Sequence, residues 1–189
     1  MSLYLIRIGL LATATLLLLA AARVDLRERI IPNQLVALIG GSGLLLGLVS
    51  RPETIWISLL AAIAVFVGLG FLSHYRWIGG GDVKLISAVT LLVPPERIGL
   101  LLVAISLVGC VISGCYLAAY YLFTRPHLHK MIYVATVYRF GKIQQLFQSE
   151  RTRVLAATSV PYGVAVFGGF AFVTVSEIVK CFSATSCSL

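Results

Sequence analysis

Apolar residues run almost unbroken along this chain in six blocks: Leu3 to Ala22, Leu35 to Ser50, Ile55 to Leu72, Val83 to Val93, Ile98 to Phe123 and Val160 to Val179. A helix that crosses a bilayer needs about 20 apolar residues. The pattern therefore predicts an all-α, polytopic membrane protein with six transmembrane helices, the fourth of them short. Between Asp82 and the Pro94-Pro95 pair, that fourth helix rises only about 18 Å at 1.5 Å per residue, against a hydrocarbon core of about 30 Å. If Pro94 marks one membrane surface, Asp82 lies roughly 10 Å inside the other. Irregular backbone expected at Gly79 to Gly81 is tolerated at such depth only where protein buries it or a water-filled cavity reaches it.

Composition agrees with the pattern. The 189 residues are 59% hydrophobic and 12% charged, with a mean hydropathy of +0.99, whereas soluble domains carry about 25% charged residues. A net charge of +8 raises nucleic acid as a partner, but the placement of the cations argues for a membrane instead. Eleven of the fifteen cations (Arg23, Arg27, Arg29, Arg76, Lys84, Arg125, Lys130, Arg139, Lys142, Arg151 and Arg153) fall in odd-numbered connections, leaving Arg7, Arg51, Arg97 and Lys180 for the other side. The positive-inside rule then places the odd connections in the cytoplasm and both termini outside. Residues 1–22 resemble a secretory signal in length, with Ala20-Ala21-Ala22 as a cleavage-like run. Arg23, Arg27 and Arg29 directly after it oppose translocation of the chain beyond them, so the segment reads as a retained first helix.

The chain reads as a single domain over residues 1–189, with one long connection, 124–158, holding six cations and one acid among aromatic and aliphatic residues. A basic segment with that much apolar surface is expected to lie partly in the headgroup region. His127 and His129 diverge on a helix and lack an acidic co-ligand, so no metal site is expected there. Cys110, Cys115, Cys181 and Cys187 show no zinc-ligand spacing. Cys181 and Cys187 flank the outer end of the sixth helix, as a disulfide or as unpaired small residues.

Two acids punctuate the apolar pattern, Asp25 after the first block and Asp82 after the glycine run Gly79-Gly80-Gly81. The charge count puts both on the cytoplasmic side. A carboxylate among membrane helices is costly and marks function by default. Peptide hydrolysis by paired aspartates uses one carboxylate to take a proton from water and one protonated carboxyl to hydrogen-bond the scissile carbonyl. Two such groups held close share a proton. Glycines before Asp82 let an extended substrate approach the backbone and let the chain bend into the next helix. Taken singly, each acid has a structural explanation: Asp82 as a helix N-cap, Asp25 as an interfacial partner of Arg23 or Arg29.

The context of the two acids together resembles the prepilin peptidases of the type IV leader peptidase family. Asp25-Leu-Arg-Glu-Arg-Ile-Ile-Pro32-Asn33 resembles their first aspartate block, Gly79-Gly-Gly81-Asp82-Val-Lys84 their G-x-G-D-x-K signature, and Val160-Pro161-Tyr162-Gly163 the start of their last helix. The resemblance implies an aspartic endopeptidase of the inner membrane that removes the basic leader from a type IV prepilin or pseudopilin at the cytoplasmic face, with Asp25 and Asp82 as catalytic pair. It also implies contact with pilus or secretion machinery, and no cofactor. Gly79, Gly81, Lys84, Pro32, Asn33, Pro161, Tyr162 and Gly163 are supporting candidates: Pro32-Asn33 and Pro161-Tyr162-Gly163 as helix openings, and Lys84 as a carboxylate partner, a substrate contact or a snorkelling interfacial cation.

The chain begins at its first helix without the cysteine-rich methyltransferase region of larger members, so methylation is not expected. Its short form is similar to the peptidases of tight-adherence pilus systems and to archaeal preflagellin peptidases. Presenilin-type enzymes share Gly-x-Gly-Asp but place their first acid after tyrosine, where this chain has Val24. The alternatives of another class are a small transporter using the acids as a proton relay, for which no inverted repeat is visible, and a non-enzymatic membrane assembly factor.

Overall fold

The computed structural model describes residues 2–124 and 161–186, and among these all regular structure is helical. The elements are α1 (Ser2–Glu28), α2 (Asn33–Ser50), α3 (Ile55–His74), α4 (Gly80–Thr90), a 3-10 turn (Pro95–Arg97), α5 (Ile98–Thr124) and α6 (Tyr162–Ser186). Four spans are long and apolar enough to cross a membrane, Leu5–Glu28, Asn33–Ser50, Ile55–His74 and Pro95–Ala118, and Tyr162–Glu177 is a shorter apolar helix. Large side chains on these helices, among them Leu16, Trp56, Leu60, Val67, Phe71 and Leu107, are exposed. A soluble monomer rarely shows so much contiguous apolar surface, and the protein is a multi-pass membrane protein whose outward faces meet lipid. Of the expected basic segment 124–158, residues 125–158, with His127 and His129, fall outside the described residues, as does Cys187 and with it the question of its pairing to Cys181.

Two compact units are distinguished, residues 1–109 with 161–189, and residues 110–160. In the first, α4 is the central element. It packs on α2, α3 and α6, while α1 packs on α2 and α6. Seven of its eleven residues, Val83 and Leu85 through Thr90, are buried, so past the exposed Lys84 the helix is enclosed on every side. Its length corresponds to about 16 Å of rise, so the fourth apolar segment forms a half-length helix. The buried hydroxyls on it need no distant partners. Ser87 donates to the Val83 carbonyl and Thr90 to the Ser87 carbonyl, both at 2.7 Å, the local back-bonding available to Ser and Thr inside helices.

Glycines set how closely the helices approach. A Cβ on Gly43 of α2 would stand 2.8 Å from Leu91 Cβ and 3.1 Å from the Leu91 carbonyl carbon; one on Gly169 of α6 would stand 2.7 Å from the Ile105 amide nitrogen. Without a large hydrophobic driving force between helices in lipid, such small residues permit the backbone contact that holds them together.

Helices α1 and α3 end alike. Arg29 (φ 57°) follows α1 and Arg76 (φ 61°) follows α3, both in the left-handed region. The Arg76 amide donates to the Ser73 carbonyl (2.9 Å) and the Trp77 amide to the Leu72 carbonyl (3.3 Å), a Schellman closure; the Arg29 amide donates to the Asp25 carbonyl (3.0 Å). Glycine is the usual residue there, and a side chain costs about 1–2 kcal/mol. A cation at a helix C-terminus offsets part of that cost through the helix dipole. In the second unit, the described part of α5, Cys110 to Thr124, continues as helix with Leu117 and Tyr121 exposed.

Candidate active site

Asp25 sits on the last turn of α1, beyond the apolar run that ends at Ala22. It is only 5% exposed. Its Oδ2 accepts a hydrogen bond of 2.7 Å from the backbone amide of Gly163, in the first turn of α6. An amide at a helix N-terminus has no partner inside its own helix, and a carboxylate satisfies both it and the positive end of the helix dipole. A carboxyl so removed from water would be costly without that bond. Arg29 lies within electrostatic reach as well.

Asp82 occupies the first turn of α4. Gly79 is the N-cap, with extended φ −67° and ψ 137°, and the Gly79 backbone amide is directed at the Asp82 carboxylate. This is half of a capping box, in which an acid at the third helical position reaches back to the cap amide. Two expectations are corrected here. Asp82 is the third helical residue and not the N-cap, and Gly80 and Gly81 are helical, so only Gly79 departs from helix geometry. The physical reason is that none of the glycines adopts positive φ; the chain turns into α4 through ordinary extended and helical conformations.

The glycines consequently differ in what they do. A Cβ on Gly79 would stand 2.9 Å from Asp82 Oδ2, whereas one on Gly80 or Gly81 would meet Ser73 Oγ or Ile31 Cβ at an ordinary 3.8 Å. A methyl group at Gly79 would turn the Asp82 carboxylate away from the amide it faces. Gly80 and Gly81 are sterically free and exposed.

The two carboxyl groups influence each other's charge. Asp82 lies within electrostatic reach of Asp25, and Tyr162, next to the residue that holds Asp25, lies within electrostatic reach of Asp82. Pro161 is fully buried and Tyr162 is the first residue of α6. Pro32 caps α2 with φ −62° and ψ 131°, and Asn33 opens the helix. Lys84, two positions past Asp82 and so on another face of α4, donates from Nζ to Asn33 Oδ1 at 3.2 Å. Of the roles open to it in sequence, its contact is with the start of α2. That bond ties the helix carrying Asp82 to the end of the loop that follows Asp25.

One member of this arrangement has no counterpart among the residues singled out in sequence. Gly109 of α5 lies under the Tyr162 ring, where an added Cβ would stand 3.1 Å from Cε2 and 3.3 Å from the hydroxyl oxygen. The only signal for it in sequence is a glycine within a run of large apolar residues, which marks close approach without naming the partner. Among the described residues no group of three or more His, Cys, Asp or Glu side chains could hold a metal ion.

Residues 12–117, more than half of the chain, match the model of the type IV leader peptidase family. The matched segment carries both acids and ends before Pro161. No curated protein and no solved structure matches the chain.

Proposed function

The chain belongs to the type IV leader peptidase family, and on that premise we propose that it is an intramembrane aspartic endopeptidase with Asp25 and Asp82 as its catalytic pair. The observation that carries this reading is that two carboxyl groups from distant segments, each engaged by a glycine amide, lie within electrostatic reach of each other. One carboxylate takes a proton from the attacking water as its oxygen bonds to the scissile carbonyl carbon. The other, protonated, hydrogen-bonds the carbonyl oxygen as charge builds on it. Collapse of the tetrahedral intermediate breaks the C–N bond, and the leaving amine takes up a proton. The pair exchanges roles between the two half-steps, which requires that the two groups hold one proton between them.

The substrate is a type IV prepilin or pseudopilin, cut between a basic leader and the hydrophobic helix after it. Such a chain crosses the membrane boundary where its charge ends. Carboxyls near the cytoplasmic ends of α1 and α4, with six helices crossing the inner membrane, would meet it there. The exposed backbone at Gly80 and Gly81 offers a side-chain-free edge to an extended peptide.

The test is co-expression with a candidate prepilin, reading leader loss on a gel for the wild-type protein, Asp25→Asn and Asp82→Asn. Processing by the wild type and by neither variant is expected. Undiminished processing by either variant would return that acid to a structural role.

A further inference from the structure

Asp25 Oδ2 takes its hydrogen bond from the Gly163 amide, 138 positions away on a different helix. That engages Oδ2 and leaves Oδ1 for a water or a second carboxyl. Steric fit is as tight as the bond: a Cβ on Gly163 would stand 3.0 Å from Asp25 Cβ, 3.0 Å from Oδ2 and 3.3 Å from Cγ. The adjacent Tyr162 is seated on Gly109 and lies within electrostatic reach of Asp82. Two consecutive residues thus address the two acids. Their helix is fixed along its length by Gly169 against Ile105 and Gly168 against Val108, so the first turn has little freedom to follow a displaced carboxyl.

Resting on the aspartic-peptidase reading above, we propose that the first turn of α6 is the positioning element of the reaction. The Gly163 amide orients Asp25 through Oδ2. The Tyr162 ring, seated on Gly109, holds that turn at the separation from α4 that keeps Asp82 beside it. Neither residue exchanges protons or bonds with substrate. Their effect is on the geometry of the pair, so it falls on kcat and leaves KM unaltered.

The experiment uses the full-length protein in detergent micelles and a peptide substrate made of a prepilin basic leader and the first residues of its apolar helix. Thermal midpoints are followed alongside the kinetics. Gly163→Ala, whose Cβ would make Asp25 give way by a few tenths of an ångström, is expected to lower kcat roughly 10-fold, less than the loss on the order of 100-fold that about 1 Å brings at a reacting group, with KM unchanged. Gly109→Ala, which touches neither acid, is expected to lower kcat less and again to spare KM. Tyr162→Phe, which keeps the ring, is expected to retain kcat, and Tyr162→Ala to lose it. Gly99→Ala, whose Cβ enters open space, is the control. Wild-type kcat in Gly163→Ala, or a loss confined to KM, would overturn the positioning role. A Tyr162→Phe variant as slow as Tyr162→Ala would overturn it for Tyr162 by making the hydroxyl the active group. Should Gly163→Ala not fold, Gly109→Ala decides alone by the same split of kcat from KM. Wild type and Asp82→Asn run in parallel, and equal rates in those two would sink the peptidase reading itself, a result distinct from any outcome at α6.

Discussion

Asp25 and Asp82 are held in the same manner by different means. Each carboxylate faces a glycine amide at the start of a helix, Gly163 for Asp25 and Gly79 for Asp82. At each glycine a methyl group would press on the carboxyl it holds, at 3.0 Å and 2.9 Å, and displace it. The motif's glycines then separate by role. Gly79→Ala is expected to act on kcat, because Asp82 must rotate away from the new Cβ and lose its amide; about 1 Å of such movement is worth on the order of 100-fold. Gly81→Ala meets no steric conflict. If an extended substrate runs along that exposed backbone, it raises KM and leaves kcat alone. Steady-state kinetics on the two variants distinguish these assignments, and a kcat loss shared equally by both would refute the division. Lys84 belongs to the same scale. Its bond to Asn33 restrains the start of α2 against α4, and a net contribution of about 0.5–1.5 kcal/mol is the usual range for such a bond.

Helix contacts decide where those residues stand. The buried half-length helix α4 packs on α2, α3 and α6, so Asp82 is presented from the centre of the bundle while Asp25 arrives on α1 at its edge. Close backbone approach maintains this. Gly169→Ala places a methyl 2.7 Å from the Ile105 amide nitrogen and 2.9 Å from its Cα, and Gly43→Ala places one 2.8 Å from Leu91 Cβ. Backbone cannot move aside as a side-chain tip can. Each variant is expected to lose about 1–3 kcal/mol, the usual cost of overpacking, as a lowered thermal midpoint in detergent. Gly70→Ala and Gly99→Ala, which meet open space, serve as neutral comparisons. A midpoint unchanged in Gly169→Ala would mean that α5 and α6 are not in contact as described. Much of this scale is legible in the chain itself. The apolar blocks delimit most helix ends to within a few residues, but α1 runs on past Ala22 to Glu28, taking Asp25 into the helix, and α6 runs on past Val179 to Ser186; the proline pair and glycine run bracket α4. The contacts are not, because a glycine that admits a neighbour and one that merely lies in a helix look alike until the neighbour is known. Gly109 and Gly163 are examples. Asp82 reads in sequence as a cap for a related reason: a cap and a third-position acid differ by three residues and one dihedral.

At the scale of the molecule, sidedness has to agree with chemistry. The two acids are visible in sequence, since isolated carboxylates stand out against apolar helices, but their proximity depends on how α1, α4 and α6 converge and on an amide that no side-chain pattern encodes. The other end carries fewer cations. Arg7 donates to the Val49 and Ser50 carbonyls at the end of α2, Arg97 forms an ion pair with Glu177 at 2.5 Å, and burial pushes the half-buried Arg51 guanidinium below its ordinary value despite Glu96 nearby. These cations are engaged with helix ends and acids of the protein. The cations near Asp25 and Asp82, namely Arg23, Arg27, Arg29, Arg76 and Lys84, form the denser group, and a bilayer is expected to retain that group in the cytoplasm. On the proposed function, a basic leader would remain in the cytoplasm for the same reason, and that orientation would bring the cleavage point to the carboxyls. With Cys110, Cys115, Cys181 and Cys187 replaced by serine, single cysteines at Glu53 or Glu96 are expected to react with a membrane-impermeant maleimide in intact spheroplasts. Cysteines at Arg27 or Trp77 should react only after permeabilisation. The reverse pattern would leave Asp25 and Asp82 on the side that the leader never reaches, and no arrangement of the two carboxyls could then cut it.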